Sequence, residues 1–337
     1  HALVFPVLFA ASRAKRGAPE WTGTDRTPPA SRARKAAPRF FEIVPTGTHI
    51  DFVGRFRLCA ALSLAVIALG IAAVPLRGVH LGVDFAGGHH IVVGLASAGA
   101  ADEGAVRGAL EAAGIAKPNV VRQGDVGEAE FQIRVPAAEG ENPVAMAERV
   151  EDAIASRIGS VEILRADFVG PRVGAELRSA ALLSLGISFA AIFGYVTLRF
   201  AASYAPGAIV ALVHDVAVTA GLFVVFGWEF DLNTVAALLT ITGYSINDTI
   251  VVYDRIRELR AQRSNLHLPE VVNRAINDTL SRTLLTSGST LLVVGALLVL
   301  GGSELRGFAT ALAIGIVAGT YSTVYVASPI MLWIEAR

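Results

Sequence analysis

Six apolar runs of membrane length are the feature that most constrains how this chain can fold. They occupy residues 58–76, 179–198, 206–226, 232–253, 280–301 and 307–334. A helix of about 20 apolar residues crosses the hydrocarbon core of a bilayer. Lipid cannot satisfy open backbone N–H and C=O groups, so these runs must be helical. With 53% hydrophobic and only 17% charged residues, the sequence predicts an α-helical polytopic membrane protein with six membrane helices.

A stretch of mixed polarity, 77–177, separates the first run from the second and is long enough for one small domain. Alternating and β-branched segments predict strands at 90–95, 120–123, 129–135 and 161–169. Capped, amphipathic segments predict helices at 102–113, after Asp102, and at 143–158, after Asn142. The order β-α-β-β-α-β is typical of a ferredoxin-like fold, so we expect an inserted α+β domain of that type.

The arginines predict the orientation in the membrane. Arg199 follows the second run, and further arginines lie in the predicted loop 254–279 at Arg255, Arg257, Arg260, Arg263 and Arg274. The positive-inside rule places these connections and both termini in the cytoplasm, and the inserted domain in the periplasm. Residues 1–40, rich in Pro, Ala and Arg, are predicted to be a basic disordered tail, and 41–57 a cytoplasmic lead-in to the first membrane helix.

Asp248 lies inside the fourth apolar run, where a carboxylate is costly and by default functional. Thr240, Tyr244 and Asp248 follow one another at intervals of four residues and share one helix face, and Asn247 lies beside them. This pattern predicts a polar seam between helices. The alternative is that Asp248 only makes a structural hydrogen bond inside the bundle.

Arg282, near the start of the fifth apolar run, is the candidate partner of Asp248. At about 1.5 Å of rise per residue the two side chains reach similar depths in neighbouring helices. A nearby cation favours the charged carboxylate and desolvation disfavours it, so movement of Arg282 would switch the proton affinity of Asp248. The sequence therefore predicts a proton pathway through Asp248 and Arg282, with protons as the coupling ion and no other cofactor.

His214 and Asp215 lie in the middle of the third apolar run and form a second candidate. They are either a proton-relay element or polar groups that join neighbouring helices, and the sequence leaves both open. His89 and His90 are adjacent on a predicted strand and point to opposite faces, which argues against a metal site there.

Other chemistry is excluded by residue type. The one cysteine, Cys59, allows neither a disulfide framework nor a cysteine metal site. None of the three lysines follows a glycine, so the Gly-Lys step of a phosphate-binding loop is missing. We expect neither an enzyme nor an ATPase, and no nucleic-acid partner.

Five stretches resemble the SecF family, membrane subunits that work with SecD in bacterial protein export. The longest is Gly-Tyr-Ser-Ile-Asn-Asp-Thr-Ile-Val-Val-Tyr-Asp-Arg-Ile-Arg-Glu at 243–258. The others are Gly-Val-Asp-Phe-Ala-Gly-Gly at 82–88, Val-Gly-Pro-Arg-Val-Gly-Ala-Glu-Leu at 169–177, Leu-Val-His-Asp-Val at 212–216 and Asp-Thr-Leu-Ser-Arg-Thr at 278–283. They follow the family's order. Ala86 and His89 depart from it, because the family usually has a small hydroxyl residue at both positions, so their roles stay open.

The resemblance implies a function and an architecture. It implies half of a resistance-nodulation-division (RND) transporter, located in the bacterial inner membrane, with SecD, the Sec channel complex, unfolded secretory polypeptides and the lipid bilayer as partners. With SecD, such a subunit would use the proton motive force to assist late translocation of secreted proteins. By analogy with that superfamily, Gly170, Pro171 and Gly174 would form a hinge under the outer domain, the alternative being a plain linker.

Two other functions remain open from the sequence. A proton-coupled RND exporter of small molecules or lipids would show a roomy apolar pocket in the outer domain. A passive assembly factor would place Asp248 against dry helix contacts.

Overall fold

The computed structural model of the protein describes residues 49–95, 102–116, 118–123, 130–136, 142–262 and 266–335. The predicted tail 1–40, residues 41–48 of the lead-in and Arg263 lie outside these ranges. A short 3-10 turn, Val53–Arg55, leads into the first membrane helix, α1, Phe56–Arg77. Gly78 caps the end of that helix, and its φ of 74° suits a residue without a side chain.

The inserted domain follows α1 and has one sheet and two covering helices. Its elements are α2 Val83–Ala86, β1 Gly88–Leu95, α3 Glu103–Ala112, β2 Asn119–Gln123, β3 Glu130–Val135, α4 Pro143–Ala155 and β4 Val161–Val169. The strand order is β2-β3-β1-β4, and every neighbouring pair is antiparallel. Both predicted helix caps are present, since Asp102 accepts from the Ala105 N–H at 2.7 Å and Asn142 from the Val144 N–H at 3.0 Å.

The two faces of this sheet differ in polarity. Phe131 and Ile133 on β3 are fully buried against the apolar sides of α3 and α4. Gln132 and Arg134, which alternate with them, point away from the helices because side chains alternate along a strand. The domain core therefore lies on one side of the sheet, and a polar face is left on the other.

Five further membrane helices follow the domain, so that the described residues contain six helices long and apolar enough to cross a membrane. They are α5 Pro171–Arg199, α6 Ala205–Phe226, α7 Leu232–Gln262, α8 Leu268–Leu300 and a sixth span, Leu305–Glu335, in two parts. The parts are α9 Gly302–Ser322 and α10 Ser328–Glu335, joined by a π-helical turn, Thr323–Ala327. The five residues of this turn lie between Gly319 and Pro329 and interrupt the regular α-helix of the sixth span.

The predicted loop 254–279 is mostly helical. Helices α7 and α8 extend beyond the apolar runs and leave only residues 263–267 between them. Ile256 and Ile276 are buried between the extensions, and Arg255 on α7 forms an ion pair of 2.6 Å with Asp278 on α8. A hydropathy criterion misses these helical extensions because each has one charged side, while its other side packs against the neighbouring helix.

Candidate functional site

The most buried carboxylate of the described membrane helices belongs to Asp215, on α6, with 0% exposure. It accepts hydrogen bonds from Ser245 Oγ on α7 at 2.6 Å and from Ser322 Oγ on α9 at 2.9 Å. The Nδ1 atom of His214 lies 3.0 Å from its other oxygen. Three side chains from three helices thus converge on one carboxyl group, which satisfies the requirement that a buried polar group be hydrogen-bonded.

Close helix packing makes this convergence possible. A Cβ atom added to Gly319 on α9 would lie 2.9 Å from Ser245 Cβ on α7. Only a glycine therefore allows the two helices to approach closely enough for Ser245 and Ser322 to reach the same oxygen of Asp215. The hydrogen bonds to Asp215 therefore depend on the close contact between α7 and α9.

Asp248, on α7, is 5% exposed and has a much sparser environment. Its one hydrogen bond in the described part of the chain comes from Ser287 Oγ on α8, at 3.4 Å. The Ser287 hydroxyl also lies 2.8 Å from Thr320 Oγ1 on α9. Asp248 therefore sits at the junction of three helices with most of its acceptor capacity unused.

Arg282, the predicted partner, is on the neighbouring helix α8 and exposed. It is close enough to interact electrostatically with the Asp248 carboxylate. The described residues show no direct ion pair between the two side chains. The structure thus brings the predicted proton-pathway residues into one region without joining them.

The predicted polar seam divides into a covered and an uncovered part. The Tyr244 hydroxyl donates to Thr290 Oγ1 on α8 at 3.1 Å. Thr240 and Asn247, by contrast, are exposed. They belong to an exposed stripe of small or polar residues along α7, which we call the α7 stripe: Asn233, Ala236, Thr240, Gly243 and Asn247. Small residues at this spacing permit close approach of another helix.

His214 connects Asp215 to a chain of hydroxyls that the sequence did not reveal. Its Nε2 atom lies 3.1 Å from Ser63 Oγ on α1, which donates to Tyr321 Oη on α9 at 3.1 Å. Isolated hydroxyls in apolar runs are too common to single out Ser63, Ser245 or Ser322, so only the packing identifies them. A largely apolar cavity of about 500 Å³ between α1, α6 and α9 borders His214.

The residues predicted as a hinge lie at a tightly packed junction. Gly170 precedes α5, and Pro171 is its first residue. A Cβ atom on Gly174 would lie 2.9 Å from the Phe85 carbonyl oxygen, and one on Gly87, where φ is 76°, would lie 2.8 Å from Pro171 Cα. The Arg178 guanidinium also donates to the Phe85 carbonyl. A hinge function of Gly170, Pro171 and Gly174 stays a prediction.

The histidine pair in β1 has separate surroundings. His90 contacts the Gln132 side chain and lies 3.6 Å from Asp167 Oδ2, whereas the His89 ring packs on Phe168 with 4.7 Å between centroids. Within the ranges that the structure describes, no group of three or more His, Cys, Asp or Glu side chains could hold a metal ion.

Comparison with known proteins agrees with this architecture. The family described as protein export membrane protein SecD/SecF, C-terminal, matches residues 149–337. The protein translocase subunit SecF of Rhodothermus marinus is 41% identical over 310 residues, which cover 89% of this chain and 96% of that one. The chain belongs to the SecF family. It is thus related to protein translocase subunits, which are transport components rather than enzymes.

Further family members support the assignment. The SecF subunit of Vibrio alginolyticus is 40% identical, with 87% of this chain and 92% of the relative covered. The crystal structure of SecDF from Thermus thermophilus, described as a translocon-associated membrane protein, matches with a TM-score of 0.76 and 38% identity. The match covers 86% of this chain but only 39% of the SecDF chain. The chain therefore corresponds to less than half of that larger protein.

Proposed function

We propose that this subunit works with a SecD-like partner to use the proton motive force in the late translocation of secreted proteins. The observation that carries the proposal is Asp248, a buried carboxylate in a membrane helix with one long hydrogen bond. An ionisable side chain at such a position marks an ion or proton path by default. The SecF family membership supports the role in protein export.

The surroundings of Asp248 suit proton loading and release. Protonation of Asp248 would disrupt at most one long hydrogen bond, because Ser287 Oγ is 3.4 Å away and a hydroxyl can turn from donor to acceptor. Arg282 lies near without a direct ion pair, so a small movement of α7 against α8 would change their interaction strongly in a medium of low dielectric. In this mechanism, Asp248 carries the proton and Arg282 sets its affinity.

His214 and Asp215 are better suited to holding the helices together than to exchanging protons. Ser245, Ser322 and His214 all contact the Asp215 carboxylate, which fixes α6, α7 and α9 relative to each other. A relay function for His214 remains the second proposal, supported by its link to Ser63.

A SecD-like partner would cover the α7 stripe. Asn247 and Arg282 are exposed beside the buried Asp248, an unfavourable arrangement for side chains in contact with lipid. A partner helix packed along the stripe would shield them. The SecDF structure supports this arrangement, because its chain is much longer than the part that this protein matches.

We place residues 77–177 in the periplasm as a ferredoxin-like domain and the chain termini in the cytoplasm. The strand order β2-β3-β1-β4 and the two helices on one face support the fold. The arginines of the α7–α8 extensions support the orientation. In this position the domain would meet unfolded secretory polypeptides that emerge from the Sec channel complex.

The exporter alternative receives less support. It requires a roomy apolar pocket in the outer domain, whereas the cavity of about 600 Å³ bordered by that domain has a mixed lining, in which arginines, carboxylates and amides accompany Val121, Phe223 and Trp228. The apolar cavity beside His214 lies among the membrane helices instead.

The test is export into inverted membrane vesicles with and without an uncoupler. Asp248→Asn keeps the side-chain size but removes the titratable group, so we expect it to abolish the part of export that depends on the gradient. Asp231→Asn, which changes a carboxylate that caps α7 outside the bundle core, is the control and should keep that part. If vesicles with Asp248→Asn still lose export when the uncoupler is added, as wild type does, the proton is carried elsewhere and His214 becomes the next candidate.

A further inference from the structure

The segment 80–84, which follows α1 and enters the outer domain, lies directly against the connection between α6 and α7. It contains the start of the stretch Gly-Val-Asp-Phe-Ala-Gly-Gly at 82–88. This stretch is one of the five that resemble the family, yet the proton pathway does not use it. Its contacts show which parts of the molecule it joins.

Backbone hydrogen bonds connect the two segments. Leu81 and Phe230 form a parallel bridge, in which the Phe230 N–H donates to the His80 carbonyl and the Gly82 N–H donates to the Phe230 carbonyl, both at 2.8 Å. A Cβ atom on Gly82 would lie 3.2 Å from the Phe230 carbonyl oxygen and 3.2 Å from Asp231 Cβ. A glycine at this position therefore lets the two backbones approach closely.

Asp84 extends this contact to α7 itself. Its Oδ2 atom accepts from the N–H of Leu232, the first residue of α7, at 3.0 Å. The first N–H groups of a helix have no partner within the helix, and its dipole favours a carboxylate at that end. Asp231 accepts from the Thr234 N–H at 2.7 Å, as a local cap does. The start of α7 thus has two carboxylate caps, one local and one from the outer domain.

The short helix α2, which carries Asp84, is fixed to α5 and to the sheet. Phe85 is buried, and its carbonyl accepts from the Arg178 guanidinium on α5. Only Gly87 separates the end of α2 from the first residue of β1. A displacement of the outer domain would therefore reach Asp84 through a short and closely packed segment.

Asp248 lies further along the helix that Asp84 caps. It is about 24 Å from Leu232 at 1.5 Å of rise per residue. All 31 residues of α7 are helical, and neither a proline nor a π-helical turn interrupts them. A shift at the start of α7 is therefore passed along the helix towards Asp248.

We propose that Asp84 is a positioning residue for proton coupling. By capping α7 from the outer domain, it makes the outer domain and the helix of Asp248 move together. Asp84 need not exchange protons for this purpose, because it only has to accept one hydrogen bond. The inference rests on the proposed function of Asp248 and adds the connection through which α7 acts on the outer domain.

The test compares Asp84→Ala with Asp84→Asn in the full-length protein, in inverted membrane vesicles. Asp84→Ala removes the acceptor, so amide hydrogen exchange in the first turn of α7 should become about fivefold faster, which corresponds to about 1 kcal/mol for a lost N-cap. The part of export that depends on the gradient should fall, whereas the part that persists with an uncoupler should not change. A general loss of folded protein would lower both parts. Asp84→Asn keeps an acceptor oxygen and should restore exchange and export, because Asn caps a helix as well as Asp does.

The matched control is Asp102→Ala, which removes the cap of α3 within the outer domain, where Asp102 accepts from the Ala105 N–H. It loses the same kind of contact away from α7, so exchange in α7 and both parts of export should match wild type. An equal loss of gradient-dependent export in Asp102→Ala would contradict the proposal. Wild-type export in Asp84→Ala would contradict it as well. Failure of Asp84→Asn to restore export would mean that the charge of Asp84, and not its cap, is required.

Asp248→Asn in the same vesicles separates this inference from the proposed function. If Asp248→Asn loses the gradient-dependent part of export and Asp84→Ala keeps it, only the role of Asp84 is wrong. If Asp248→Asn keeps that part, Asp248 is not the proton carrier, and the coupling role of Asp84 is refuted with it.

Discussion

Asp215 and Asp248 lie in adjacent membrane helices and are both almost inaccessible, yet their surroundings differ. Asp215 is contacted by Ser245, Ser322 and His214, all within 3.0 Å. Among the described residues, Asp248 has one hydrogen-bond partner, Ser287, at 3.4 Å. Burial alone therefore does not distinguish the two acids. The number and length of the hydrogen bonds to each carboxylate do.

The difference has an energetic meaning. Asp215 accepts two hydroxyl hydrogen bonds inside a buried network, and such networks are costly when only partly satisfied. A proton added to Asp248 displaces at most one weak donor. We therefore expect Asp215 to matter mainly for stability and Asp248 mainly for coupling.

The largest expected effect tests the stability half of this comparison. Asp215→Ala leaves Ser245, Ser322 and His214 without their acceptor inside the bundle. Unfolding in detergent should become easier by about 3 kcal/mol or more, since each buried unsatisfied group costs about 1–3 kcal/mol. Asp248→Ala replaces the same residue type at a similarly buried position and should lower the free energy of unfolding by only about 1 kcal/mol. The measurement is thermal unfolding of the purified variants, and equal losses would refute the distinction.

The coupling half is tested through Arg282. Arg282→Ala leaves Asp248 without its nearby cation, which should favour the protonated acid and stop the cycle. Gradient-dependent export into vesicles should fall to the level of Asp248→Asn, and the double variant should be no worse, because either lesion blocks the same step. Arg172→Ala, an exposed arginine at the start of α5, serves as the control. Additive losses of export in the double variant would show that Asp248 and Arg282 act in different steps.

A smaller effect concerns the exposed side of the helix that carries Asp248. Gly243→Leu adds a bulky side chain to the α7 stripe without a clash inside this chain, because nothing lies within 4 Å of its added Cβ atom. Copurification of a SecD-like chain should weaken, by the order of 1 kcal/mol found for contacts between membrane helices. Gly186→Leu on α5 has equal space and should leave copurification unchanged. A partner retained equally by both variants would show that the stripe faces lipid.

The smallest expected effects come from single hydroxyls. Ser245→Ala removes one of the three contacts to Asp215 and should destabilise the protein by about 1 kcal/mol, the usual net worth of a hydrogen bond. Ser287→Ala removes the long contact to Asp248 and should cost less than Ser245→Ala. The same unfolding assay compares them. A larger loss for Ser287→Ala would mean that the Asp248 contact is the stronger of the two.

Much of the fold could be predicted from the sequence, because its signals are local. Membrane-length apolar runs indicated six spans, and the alternation of strands and capped helices indicated the order of elements in the inserted domain. The helical extensions of α7 and α8 were missed because their evidence lies in packing between two charged segments, as in the Arg255–Asp278 pair. The π-helical turn at Thr323–Ala327 has no simple sequence signal.

The candidate site was predictable only in part. An acid in an apolar run is conspicuous, so Asp248 and Asp215 were found. The difference between them depends on Ser245 and Ser322, which are 77 residues apart in sequence and meet only because α9 approaches α7 at Gly319. No local sequence pattern predicts which of the two carboxyl groups these hydroxyls contact. The same holds for Arg282, because its separation from Asp248 depends on how two helices pack.

The junction of the outer domain with α5 has a mechanical consequence. Gly87 and Gly174 bring the domain and the helix into close contact, and Arg178 ties them through the Phe85 carbonyl. Beyond that junction, Val196 is the only other fully buried residue in the 29 residues of α5, so the rest of the described helix is held loosely by its neighbours. The helix is about 43 Å long at 1.5 Å per residue. Because the helix is fixed to the outer domain at its N-terminal end, a slight tilt of the helix near Arg199 would displace the whole domain at the opposite end.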